Sequence, residues 1–343
     1  MSRHPALRRR TAFAVLVLVV LAGTGWYVTS EVRRAQAEQT APTQVEVTDD
    51  VLDGPHVLFR GTAPGELYGR VAAVALDDLS GPRQVTPAVC DRVDSDGETT
   101  VCLRTRRGVF TTYEAEVLDA AWRTTASWPL PGTPSRTRLS PDGLVATTSF
   151  VTGHSYATTG FSTETTVHGA DGAAVSGNLE DFTLLADGKR LAPVDRNVWG
   201  VTFVDARYFY ATVQSQSQRR TWLVRGDLAE RTLVTLLDGV ECPSLSPDGT
   251  RLAFKHDARK PGDATPRWTP AVLDLATMKV TVLDAEQRPV DDQIAWLDDA
   301  TLLYGLPRAD EPGTTDVWAL PADGAAGPAV AIPQAWSPSV VRR

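Results

Sequence analysis

Two stretches of this chain are near copies of one another. Leu139-Ser140-Pro141-Asp142-Gly143 runs on into LVATT, and Leu245-Ser246-Pro247-Asp248-Gly249 runs on into TRLAF. Proline fixes one backbone angle, aspartate caps the free amides, and glycine takes the positive φ, so the unit is a tight turn feeding a strand. Looser copies stand at Asp94-Ser95-Asp96-Gly97 before TTVCL, Val204-Asp205-Ala206 before RYFYATV, and Leu297-Asp298-Asp299-Ala300 before TLLYGL. The two full copies lie 106 residues apart, which is two periods of 53. A unit that recurs at this spacing cannot bury its apolar face alone and must stack on its neighbours.

A second hairpin follows each first one. Its turns are marked by Asp77, Asp119, Asp171, Asp227, Asp274 and Asp323, with spacings of 42, 52, 56, 47 and 49 residues. Two hairpins make one four-stranded blade, and six blades make a β-propeller. The fold class predicted is therefore all-β, a six-bladed propeller over residues 55–341. The supply of 26 Gly and 23 Pro suits so many turns. The stretch from Asp142 to Asp205 breaks the rhythm. It contains Leu184-Leu185-Ala186-Asp187-Gly188, read as an additional hairpin or a longer fourth strand, and splitting that region gives seven blades as the alternative. Ala335-Trp336-Ser337-Pro338 resembles the opening strand of a blade, a strand that the first blade, from His56, lacks. The last strand is thus expected to complete the first blade and hide both sheet edges.

The charge is unevenly placed. Residues 1–37 hold six Arg and one acid, and the remainder has 28 basic against 41 acidic residues, a net of −13. So acidic a surface excludes nucleic acid as a partner. Residues 12–28 form an uncharged run of 17 preceded by Arg3, Arg8, Arg9 and Arg10. Residues 11–30 reach membrane-spanning length, with Trp26 and Tyr27 at the far interface. The arginine excess leaves residues 1–10 as a cytoplasmic basic tail, 31–54 as a linker, and the propeller outside the cell membrane. The alternative is a cleaved signal peptide with residues 13–22 as its apolar region and Ala35-Gln36-Ala37 as its small-residue site. Both readings export the domain.

Cys90 and Cys102 flank a hairpin-like stretch with its turn near Asp96-Gly97. They form a candidate disulfide in an oxidising compartment, or else two small buried hydrophobes. Cys242 is left over as a buried thiol. The five His are scattered singly, so no metal and no cofactor is expected.

The Ser-Pro-Asp-Gly turns followed by apolar strands resemble TolB-like, PD40-type propeller repeats. NVWGVTF (197–203), VECPSLSPDGTRLAFK (240–255), VDDQIAWLDDATLLYGLPR (290–308) and TTDVWALPADG (314–324) carry the resemblance. The region from about 55 to 341 is similar to the TolB-like translocation proteins of actinobacterial type. What this implies is a fold. TolB itself carries a domain ahead of its propeller, for which residues 31–55 have no room, so its Tol–Pal role does not carry over.

No nucleophile elbow, Rossmann fingerprint, phosphate loop or calcium loop occurs. In a propeller the segment entering each innermost strand rims the channel at the face away from the Asp-Gly turns. Arg136, Trp199, Glu241, Asp291 and Asp292 are the candidate polar rim, able to hydrogen-bond a ligand or peptide; no catalytic residue is assigned. The reading is a membrane-anchored binding or scaffold module of the cell envelope, its partner an envelope protein or small ligand. The alternatives are an exported enzyme acting on glycans or peptides, and a sensor or accessory subunit of an envelope complex.

Overall fold

The computed structural model describes residues 13, 15–27, 29–30, 45–153, 160–259 and 267–342. The chain divides into two compact units, Met1–Gln44 with Ala63–Tyr68, and Val45–Thr62 with Gly69–Arg343. In the first, residues 13, 15–27 and 29–30 are helical, and Thr29 and Ser30 hydroxyls bond back to the carbonyls of Gly25, Trp26 and Tyr27. No helix among the described residues is long and apolar enough to cross a membrane. The flanking arginines and residues 35–37 lie outside the described residues.

The second unit is a six-bladed propeller. The first blade contains β1 (His56–Gly61), β2 (Arg70–Ala75) and β3 (Gln84–Val89). The second contains β4 (Arg92–Ser95), β5 (Thr100–Arg106), β6 (Thr112–Leu118) and β7 (Thr124–Leu130). The third has β8 (Thr133–Leu139), β9 (Leu144–Thr152) and β10 (Ser162–Gly169). After a short 3-10 turn (Leu179–Asp181), β11 (Thr183–Ala186) and β12 (Lys189–Leu191) precede the fourth blade. That blade is β13 (Arg196–Phe203), β14 (Tyr208–Ser215), β15 (Arg220–Asp227) and β16 (Thr232–Asp238). The fifth is β17 (Val240–Leu245), β18 (Arg251–Asp257), β19 (Trp268–Asp274) and β20 (Val280–Val282). The sixth is β21 (Ala295–Trp296), β22 (Thr301–Pro307), β23 (Thr315–Pro321) and β24 (Ala329–Ile332). Last comes β25 (Ala335–Val341), which pairs antiparallel with β1 as the innermost strand of the first blade. The ring is closed by its own C-terminus.

The turns fold as their chemistry dictates. Gly143 and Gly249 take φ of 75° and 70°. The Ser140 hydroxyl accepts from the amides of Asp142 and Leu144, and that of Ser246 from Arg251. The turn between the first two strands of each blade and every second-hairpin marker fall on one face of the ring, called here the turn face. The opposite, link face carries the connections between blades. Apolar residues fill each junction between neighbouring blades, for example Leu223, Val240, Leu252 and Phe254 between the fourth and fifth.

The irregular stretch resolves into six blades, not seven. The third blade stops at three strands, and the hairpin β11–β12 crosses to the fourth, where β11 lies parallel to β16. The free edge of β10 is closed by side chains instead of a strand. Asn197 Oδ1 accepts from the Thr163 amide at 2.8 Å, Glu180 Oε2 from Thr165 at 3.1 Å, and Ser176 Oγ from Val167 at 3.1 Å. Glu180 Oε1 also accepts from the Thr163 hydroxyl and the Val198 amide, tying the third blade to the fourth.

The expected linker of 31–54 is shorter where it is described. Val47 pairs with Arg83, and Val51 and Leu52 join the apolar cluster between the first and second blades, so residues 45–54 belong to the propeller. Cys90 and Cys102 form a disulfide with a Cα separation of 5.3 Å, and Cys242 is a buried free thiol.

Candidate functional site: the central channel

Six inner strands, β25, β4, β8, β13, β17 and β21, stand side by side around the axis. They all run from the link face to the turn face, so their first residues face one mouth and their last the other.

At the link face, charged side chains close the channel. The Arg136 guanidinium donates to the Asp291 carbonyl at 2.5 Å, crossing from the third blade to the sixth. Arg92, on the second blade, pairs with Asp292 at 3.2 Å, and the other oxygen of Asp292 accepts from the Gly305 amide. Lys255 Nζ lies 3.1 Å from Glu241 and 3.5 Å from Asp291. Both Lys255 and Glu241 have no exposed surface. Burial pushes the Glu241 carboxyl up to about 7, with Lys255 opposing the shift. Lys255 itself is held above its ordinary value: burial pulls it down, but Cys242, Glu241 and Asp291 outweigh that. A buried pair of this kind requires both members, because either alone is an uncompensated charge.

Three of the five candidate rim residues, Arg136, Glu241 and Asp291, therefore meet in one network through Lys255, and Asp292 beside them pairs with Arg92. Only Asp291 projects to solvent, its side chain being 59% exposed. Glu241 and Asp292 are sealed within the channel and do not rim it. Trp199 is elsewhere. It packs between blades with Phe150, Phe161 and Cys242, edge-on to Phe161. A bulge follows it at Gly200 (φ 65°), between Trp199 and Thr202.

The turn face carries the open mouth. A cavity of about 320 Å³ is lined by Asp94, Arg138, Thr202, Ser244, Trp296 and Ser339, one from each blade. Ser339 Oγ donates to Asp94 Oδ1 at 2.7 Å, and Asp94 Oδ2 accepts from the Leu139 amide at 2.8 Å. Arg138 lies 3.5 Å from Asp94 and donates across the channel to the Ile294 carbonyl at 3.1 Å. Trp296 Nε1 donates to the Ser244 carbonyl, and Arg342 to the Trp296 carbonyl. The result is a socket with a polar floor, since Arg92, Arg136 and Arg138 all reach residues 291–294 and block the passage beneath.

Sequence reasoning did not single out Arg138, Asp94, Ser339, Trp296 or Lys255. Two signals were readable. Arg136 and Arg138 alternate on one inner strand, which aims both at the axis. Lys255 is one of only four lysines and interrupts an apolar strand, RLAFKHD.

Comparison with solved structures gives TolB from Acinetobacter baumannii at 15% identity, TM-score 0.53, covering 85% of this chain and 68% of that one. The structural neighbours are TolB-like β-propellers. The chain described as TolB from Agrobacterium tumefaciens aligns at 11% identity, TM-score 0.46, over 83% of this chain and 92% of that one. An oligogalacturonate lyase from Vibrio parahaemolyticus aligns at 11% identity, TM-score 0.43, over 73% and 71%. At such identities the likeness to TolB is one of fold. No protein-family model and no curated protein matches the chain.

Proposed function

We propose that this TolB-like propeller is a non-catalytic binding or scaffold module of the cell envelope, taking a ligand or a protein segment at the turn-face mouth. The observation that carries this is the socket itself, to which all six blades contribute a residue. Cation–carboxylate pairing supports binding over hydrolysis. Glu241, Asp292 and Asp94 each face a cation, whereas acid–base work on a glycan needs two carboxylates poised at the scissile bond. In the same reading, residues 11–30 hold the domain to the membrane with the N-terminus cytoplasmic, as the arginine distribution directs.

The test is site-directed photocrosslinking in intact cells, with the reactive residue at Asp96 beside the mouth or at Lys189 on the outer edge of the fourth blade. An envelope partner or ligand adduct formed from Asp96 and not from Lys189 is the expected result. Equal adducts from both positions, or none from Asp96, would remove the socket from consideration.

A further inference from the structure

The apolar side chains that the propeller leaves in water are not spread evenly over it. Among its described residues the three most exposed are Val109 at 96%, Phe110 at 83% and Val194, which is fully exposed. All three lie on the link face. Val109 and Phe110 stand in the loop of residues 107–111 between β5 and β6. Val194 precedes β13, where Asp195 beside it accepts from Ser215 and Ser217 at the link-face turn between β14 and β15. Between them, on the third blade, Val151 near the link-face end of β9 is half-exposed. The second, third and fourth blades thus each present an uncovered apolar residue on one side of one face.

Charge divides the two faces as well. Aspartate stands in every turn-face turn of the six blades, from Asp77 and Asp78 in the first to Asp323 in the sixth. The link-face loops 107–111 (RGVFT) and 216–219 (QSQR) contain no acid, and their Arg107 and Arg219 are exposed. Arg104 and Arg106, beside the first loop, pair with Glu116 and Glu114. Asp310 and Glu311, exposed acids of the link face, belong to the sixth blade, across the ring from the third.

A stable protein interface takes roughly 800 Å² from each partner and matches it in shape. Two side chains on the tip of a short loop are too small and too convex for that. A fluid interface closes around them: valine and phenylalanine enter at headgroup level while arginine stays with the phosphates. Anionic headgroups attract Arg107 and Arg219 and repel the aspartate-lined turn face, so one field selects which face approaches. In the reading above a bilayer is always near, because residues 31–44 join the anchor to the propeller and can extend to about 46 Å.

We propose that the link face of the second to fourth blades rests on an anionic membrane surface, with Val109, Phe110 and Val194 among the headgroups and the mouth turned away from the bilayer. This rests on the reading above only for the membrane as neighbour, and needs nothing of what the mouth binds.

The test uses chains with one added cysteine, carrying an environment-sensitive NBD dye at Phe110→Cys, Val194→Cys or, on the turn face, Lys279→Cys. The native thiols stay unlabelled, since Cys90 and Cys102 are bonded and Cys242 is buried. The full chain is reconstituted in vesicles of phosphatidylcholine and phosphatidylglycerol, with and without doxyl-labelled lipid. Doxyl lipid is expected to quench the dye roughly threefold at 110 and 194 and not at 279, less so without phosphatidylglycerol. Phe110→Asp, which changes an exposed tip, should release the dye at 194. Dyes at 110 and 194 quenched no more than at 279 overturn the proposal. So does a blue shift at 110 without quenching, which marks contact between protein copies. Carbonate extraction reads the anchor by itself: a chain stripped by it, yet quenched at 110 beforehand, loses the anchor and keeps the resting face.

Discussion

At the scale of single residues, the buried carboxyls set how this protein responds to pH. Burial raises Glu180 to about 8 and Glu241 to about 7, from an ordinary 4.5. Between 4.5 and those values the native chain keeps protons that the unfolded chain has released, so stability falls as pH rises. His56 and His168 act oppositely: burial lowers both below 6.5, which adds stability as pH climbs toward 6.5. Above 6.5 the carboxyls alone remain among these four. The melting temperature is therefore expected to drop between pH 6.5 and 8, by a loss on the order of 2 kcal/mol, and Glu180→Gln should flatten most of that slope. Thermal melts across the range decide it; a slope that Glu180→Gln leaves intact would place the titration elsewhere. Residue identity also explains where sequence reading of the site succeeded. Arg136 and Asp291 declared themselves by their place at the start of inner strands. Trp199 did not, because its indole is taken up by Phe150, Phe161 and Cys242, contacts made across blades.

At the scale of elements, the bulge at Gly200 recurs. The pairing of the innermost strand slips at Arg60/Leu58 in the first blade, Pro134/Arg136 in the third, Trp199/Thr202 in the fourth and Glu241/Ser244 in the fifth. Ser337 and Cys242 take positive φ there, as Gly200 does. A Cβ on Gly200 would stand 2.7 Å from the Cα of Cys242, a backbone atom that cannot give way, whereas Gly249 has open space around it. Gly200→Ala should cost about 3 kcal/mol and Gly249→Ala about 1, read as the difference in denaturant midpoints. Equal losses would mean that the inner strands separate easily. The turns were legible in advance because Ser-Pro-Asp-Gly acts locally. The bulges were not, since their glycine or serine answers to a neighbouring blade. The same holds for the three-stranded blade: nothing in STETTVHG announces that Glu180, eleven or more residues further on, will stand in for a missing strand.

At the scale of the whole molecule, an even beat of aspartate turns was enough to give six blades and a closing C-terminal strand. It could not say which mouth stays open, because that depends on arginines that reach across the axis to residues 291–294. Closure itself can be tested by ending the chain at Gln334. The truncated protein should lose its cooperative melt and associate in size-exclusion runs through the bare edge of β1, and a peptide of residues 335–343 should restore it. A truncated chain that melts like the parent would show that β25 is dispensable.

This closure also orders events during synthesis. The first blade to leave the ribosome is the last to be finished, because its innermost strand is encoded at the far end of the message. Until then β1 offers an unpaired edge to any passing strand, while in the finished fold the Cys90–Cys102 disulfide ties the connection leaving the first blade to β5 of the second. Cleavage between β24 and β25 would reverse the sequence, reopening the first blade before any other.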